Sequence, residues 1–136
     1  MTKGTYTLVL SVPTSTIITV GALGERTFPA GWYAYTGSAL GPGGFSRVDR
    51  HRELAAGERD TRHWHIDYLL GSPDVTLETV FRSPGVDREC AIAQTLPGEP
   101  IAAFGASDCR CDSHLTRVES RDILIDALAD IHDNRE

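Results

Sequence analysis

Lysine is all but missing from this chain. Lys3 is the single lysine in 136 residues, so arginine carries nearly all of the positive charge. Positive charge is itself in deficit: the formal net charge is −6, which argues against a generic nucleic-acid binder, since such domains are usually basic. The deficit is uneven. Residues 1–73 hold seven Lys+Arg against six Asp+Glu, and residues 74–136 hold six against thirteen. An anion-binding face is therefore expected in the first half, with the acidic second half keeping the domain in solution. Long apolar runs are absent. Nothing approaches the roughly 18 residues needed to cross a bilayer, and the run "LVLSV" is too short for a signal-peptide core. A cytoplasmic protein without membrane contact is expected. The three cysteines, Cys90, Cys109 and Cys111, are an odd number that does not suit a secreted disulfide framework. A bridge across "CRC" would close a very small, strained ring. Free thiols are expected, with a metal site as the competing reading.

What remains is ordinary globular material. A hydrophobic fraction of 40% and a charged fraction of 24% fit one soluble domain over residues 1–136, long enough to close a core. The stretch "TYTLVLSV" alternates with period two, Tyr6, Leu8, Leu10 and Val12 on one face, so it reads as a half-buried strand stopped by Pro13. "TIITVGALGERTF" reads as a second strand with a glycine-marked turn and "GWYAYTG" as a third, together an antiparallel meander. "SALGPGG" is a loop. It is not a phosphate-binding P-loop, because no Gly-Lys-Ser/Thr follows. "FSRVDRHRELAAG" reads as a helix with Phe45, Val48 and Leu54 inward, ending at Gly57. "WHIDYLLGSP" reads as a short helix, "VTLETVF" as a strand, and "SPGVDRECAIAQTL" as the start of another helix after Pro84-Gly85. A loop through "GASDCRCDSHLTRV" leads to a short strand, and "SRDILIDALADIHD" closes the chain as an amphipathic helix capped by Ser120. This order predicts an α+β fold: a small antiparallel sheet flanked by helices.

Several side chains could carry chemistry. Tyr6 and Tyr35 lie on strands that a meander would bring close. Their rings either fill the core or present hydroxyls for proton transfer, which requires a nearby cation to pull a phenol down from its usual value near 10. Arg47 and His51 are four residues apart and share a helix face. There the guanidinium is either a solvated surface group or a phosphate ligand. Glu89 opens a helix, where the dipole favours a carboxylate anyway. A lone carboxylate there could also hold a Mg²⁺ ion that keeps most of its waters. Cys109, Cys111 and His114, with Cys90 or His65, could close a tetrahedral zinc site, although C-x-C-x-x-H matches no strong zinc signature. The alternative is thiols packed as small apolar groups.

In combination these positions resemble the GIY-YIG nuclease superfamily. The stretches that carry the resemblance are "GTYTLVL", "GWYAYTGSALG", "RVDRHR", "WHIDYLL", "EC" and "FGASDCRCDSHL". "GTY" begins the first strand, "YTG" ends an aromatic strand, an arginine follows ten residues after that glycine, and a glutamate opens a later helix. More closely, the chain resembles a largely archaeal branch of the superfamily, the domain of unknown function 123, which also occurs fused to a glycosylase related to endonuclease three. The resemblance implies a metal-dependent endonuclease that hydrolyses nucleic-acid phosphodiester bonds in DNA repair or processing, with DNA a better candidate than RNA. In that pattern Tyr6 activates water, Tyr35 lies near the scissile phosphate, Arg47 binds it, His51 assists proton transfer, and Glu89 anchors one Mg²⁺ or Mn²⁺. Gly4 and Gly37 shape the strand ends, and Gly37, Ser38 and Arg50 are expected to touch substrate. The middle residues of both motifs are threonine here, Thr5 and Thr36, and they point away from the tyrosine face. Arg50 is the alternative to Arg47 and Asp67 the alternative metal carboxylate, while Arg50 and Arg52 are otherwise expected to face water. A binding module without turnover and a small zinc or thiol protein are the competing functions.

Overall fold

The computed structural model describes residues 3–39, 43–58, 65–85, 92, 95–101, 114–132 and 134–135. The strands β1 (Gly4–Val12) and β4 (Gly31–Ala39) pair antiparallel along their full length, from Gly4↔Ala39 to Val12↔Gly31. Between them β2 (Thr16–Thr19) and β3 (Glu25–Phe28) form a separate two-stranded hairpin. After β4 come α1 (Ser46–Ala55), α2 (His65–Leu70), β5 (Thr76–Pro84), β6 (Glu99–Pro100), β7 (Leu115–Val118), α3 (Arg121–Ile131) and β8 (Asn134–Arg135). The main sheet has the order β6-β7-β4-β1-β5-β8, and every pairing in it is antiparallel. The fold is α+β, as the sequence predicts.

Two expectations are corrected. The first three strands do not form a meander. "TIITVGALGERTF" folds on itself around a 3₁₀ turn at Gly21–Leu23, where Gly21 and Gly24 adopt φ of 46° and 74°, a left-handed geometry glycine reaches without a Cβ penalty. β1 is thereby left to pair directly with β4. Nor is β1 half-buried: apart from Ser11 it is buried on both faces, because β4 and β5 flank it and helices cover both sides. Tyr6, Leu8, Leu10 and Val12 pack with Tyr33, Tyr35, Phe45, Val48, Leu54, Ile66 and Leu69 under α1 and α2. Val9, Ala34 and Phe81 pack with Val118, Leu124 and Leu128 under α3. Each such fully buried side chain contributes roughly 1.5–3 kcal/mol of transfer free energy.

Local signals place the helices. In α1, Val48, His51 and Leu54 recur at helical spacing on its buried face, and Gly57 follows with φ 78° as a left-handed stop. Ser120 caps α3, its Oγ accepting from the Ile123 N–H at 3.4 Å. The helix expected after Gly85 lies mostly outside the described residues. Among the described residues no helix is long and apolar enough to cross a membrane.

The face toward α3 carries a buried polar chain that the sequence did not reveal. Thr36 and Thr7 hydroxyls lie 3.1 Å apart, Thr7 Oγ1 is 2.7 Å from His132 Nε2, and Ser83 Oγ is 2.9 Å from His132 Nδ1. All four residues are buried. Each hydroxyl can both donate and accept, so the imidazole is bridged on both nitrogens. Thr36 is the middle residue of "YTG", so in this chain a threonine there belongs to a hydrogen-bonded layer that ties β1, β4 and β5 to the end of α3.

Candidate active site

The chemistry-bearing residues meet where β1 begins and β4 ends. Tyr6 pairs with Gly37 across the sheet. An added Cβ on Gly37 would come within 2.5 Å of the Tyr6 hydroxyl oxygen and 2.6 Å of ring carbon Cζ. Glycine is thus required at 37 because the phenol lies against it. Gly37→Ala is expected to cost about 1–3 kcal/mol, since the buried ring must shift; urea denaturation measures this, and an unchanged midpoint contradicts the packing.

From Gly37 the phenol reaches α1. Tyr6 Oη lies 2.7 Å from His51 Nε2, with ring centroids 5.5 Å apart. His51 is 1% exposed. Tyr35 stands edge-on to His51 at 6.4 Å and edge-on to His114, also at 6.4 Å. One turn earlier on α1, Arg47 donates from Nη1 to the Ser38 carbonyl oxygen at 2.7 Å, which draws its half-buried side chain to the end of β4. Tyr6, Tyr35, Arg47 and His51 therefore converge, along with Gly37 and Ser38. Glu89, Cys109 and Cys111 lie outside the described residues. His114 is placed at the entry to β7, buried against Tyr35.

Arg50 corrects an expectation. It does not face water: its Nη1 and Nη2 donate to Asp67 Oδ1 and Oδ2, each at 2.9 Å. The Arg50 side chain is 15% exposed and Asp67 is fully buried. This fork-to-carboxylate geometry is the strong form of an ion pair. It also uses both oxygens of the carboxylate considered above as an alternative metal ligand. Arg52 is half-buried rather than solvated. A groove of about 560 Å³ lined by Arg52, Ser72, Pro73 and Glu78 runs toward the start of β5, at the end of that strand opposite the Tyr6 hydroxyl.

Electrostatics set the protonation state of His51. Burial pushes it down to about 4; Asp67 opposes this, and Arg50 and Arg47 reinforce it. The imidazole is neutral at pH 7, and in the tautomer protonated at Nδ1 the Tyr6 hydroxyl donates to Nε2. The unfolded chain, with its histidine near 6.5, takes up the proton that the folded chain refuses down to about 4. Folding therefore weakens as pH falls from about 6.5 to 4 and is unaffected above that interval. Wild type is expected to lose about 3 kcal/mol relative to His51→Gln across it. Urea midpoints at a series of pH values measure this, and parallel profiles contradict it. His65 is also held down, by burial and then by Arg26.

Among the described residues no group of three or more His, Cys, Asp or Glu side chains could hold a metal ion. The residues that sequence reasoning missed are Arg82 and the partnership of Asp67. Arg82 is the cross-strand neighbour of Tyr6 on β5, and its guanidinium carbon lies 4.8 Å from the centre of the Phe45 ring. For Asp67 a signal was present: it falls among Ile66, Leu69 and Leu70 on the buried side of α2, and a carboxylate in such a position demands a partner.

A model of the family described as Domain of unknown function DUF123 matches residues 5–136. No curated protein and no solved structure matches the chain.

Proposed function

The chain belongs to the DUF123 family, and we propose that it is a metal-dependent endonuclease that hydrolyses phosphodiester bonds of nucleic acid, DNA in preference to RNA. The observation that carries the proposal is the 2.7 Å contact between Tyr6 Oη and His51 Nε2, one helical turn from Arg47. The resemblance to the GIY-YIG pattern asks for a tyrosine that can take a proton from water, a basic group that can relieve it, and a guanidinium for the phosphate. Tyr6, His51 and Arg47 supply those three types in reach of one another.

The chemistry follows from the charges. A phosphodiester resists attack because it is already anionic. Arg47 binds a non-bridging oxygen and offsets charge that grows as phosphorus becomes pentacovalent. Water gives its proton to Tyr6 as Tyr6 passes its own to His51 Nε2, so no free tyrosinate has to persist at neutral pH. An imidazole held near 4 is a weak base in the resting site. An anionic phosphate beside Arg47 opposes the depression by the arginines and raises it, so substrate binding prepares the acceptor. Among the described residues no group of three or more His, Cys, Asp or Glu side chains could hold Mg²⁺ or Mn²⁺, and both oxygens of Asp67 are taken by Arg50. In this reading the metal falls to Glu89, where a single carboxylate and retained waters suffice. When bound, it supplies further neutralisation of the phosphate.

A second reading, a nucleic-acid-binding module without turnover, is favoured by one observation: Tyr6 is only 1% exposed, and an attacking water must reach its hydroxyl. Incubation with Mg²⁺ or Mn²⁺ and a panel of single-stranded, duplex and branched DNA separates the two. Cleavage that is lost in Glu89→Ala supports the endonuclease. Salt-sensitive binding with no cleavage in any metal supports the module, and cleavage undiminished by Glu89→Ala removes the metal assignment.

A further inference from the structure

At the end where β1 starts and β4 and β5 finish stand Lys3, Arg47 and Arg82. Many of the placed acidic side chains lie elsewhere: Asp122, Asp126 and Asp130 on α3 behind the sheet, and Asp74 and Glu78 toward the opposite end of β5. Arg82 is one of the cations outside the pattern discussed so far, and the one that stands next to Tyr6 in the sheet. Its position is fixed twice. The register Tyr6↔Arg82 puts both residues on the α1 side of the sheet as direct neighbours. Its guanidinium then lies over the ring of Phe45, a buried residue at the N-terminal cap of α1, two positions before Arg47. Stacking uses the flat face of a guanidinium, whereas hydrogen bonds to phosphate use its edge. The two uses are compatible, and the stack reduces the side-chain freedom that binding would otherwise have to remove.

We propose that Arg82 binds a backbone phosphate adjacent to the one held by Arg47, so that β5 contributes a second phosphate subsite to the strand-binding surface. This rests on the nucleic-acid reading above and extends it. Tyr6 is flanked in the sheet by Gly37 on β4 and Arg82 on β5. The Arg47 phosphate lies on the β4 side through Ser38, and the neighbouring phosphate of the same strand then falls on the β5 side. As a positioning contact, Arg82 acts on affinity and leaves the chemical step largely alone.

Fluorescence anisotropy with a labelled single-stranded DNA oligonucleotide, in chelator to prevent cleavage and across a salt series, tests this. Arg82→Gln is expected to weaken binding about tenfold and to reduce the slope of log K against log salt by about one. Arg82→Lys, which keeps the charge, should recover most of the affinity. Arg121→Gln is the control, because Arg121 also lies over an aromatic ring, Trp32, but on α3; it should bind as wild type does. Equal weakening in Arg82→Gln and Arg121→Gln would overturn the subsite, since only total charge would then matter. Unchanged binding by Arg82→Gln alongside impaired binding by Arg47→Gln would overturn the subsite and leave the nucleic-acid reading standing. No binding by wild type would overturn both. Thermal melts of each variant matching wild type show that the fold is intact.

Discussion

Tyr6→Phe is expected to lower DNA cleavage by roughly 10²–10⁴-fold, the usual range for losing a positioned proton-transfer group. The substitution removes one oxygen and leaves the ring, which fills the space against Gly37 and under α1, so the fold should survive. The loss should appear in kcat with little change in KM, because in the proposed reaction the hydroxyl acts on the attacking water and the phosphate is held by Arg47. Single-turnover cleavage by the two proteins, together with their DNA affinities in chelator, measures this. A KM effect without a kcat effect would place the hydroxyl in binding and remove the proton relay to His51.

Asp67→Ala is expected to produce the largest loss of stability, about 3–5 kcal/mol, because it leaves the Arg50 guanidinium, only 15% exposed, without its bidentate counter-charge. For a chain of this size that corresponds to a fall in Tm on the order of 10–20 °C. The double variant Arg50→Met/Asp67→Leu should recover most of it, since replacing both ions by apolar groups of similar volume removes the uncompensated charge. A loss under about 1 kcal/mol in the single variant would mean that solvent reaches the pair and screens it. Asp67 also opposes the effect of burial on His51. Asp67→Asn should therefore lower the histidine further, visible in an NMR titration of its ring protons.

The two sheet motifs and the inward stripe of α1 were legible in the sequence because each is local. Alternation across "TYTLVLSV" and the spacing of Phe45, Val48 and Leu54 point Tyr6 and α1 toward one core; the structure adds His51 to that inward face. Pairing was not local. Whether β1 meets the next strand or the one after depends on Gly21 and Gly24 turning the β2–β3 segment back on itself, which strand periodicity does not report. The Arg50–Asp67 pair joins two helices across 17 residues, and the Thr7–His132 contact spans 125. Neither pairing leaves a periodic trace, although the apolar neighbours of Asp67 mark it as a carboxylate in need of a partner. In the sequence Arg82 simply follows "VTLETVF". Only the β1–β5 register, shifted between Val9 and Leu10, makes it the neighbour of Tyr6.

The central claim concerns one cluster, Tyr6, His51 and Arg47, acting on a phosphodiester. Its most direct measurement is product formation from the DNA panel in Mn²⁺ by wild type and Arg47→Ala, purified identically. Wild type is expected to release product and Arg47→Ala to do so about 10²–10³-fold more slowly. Equal rates from the two proteins would contradict it.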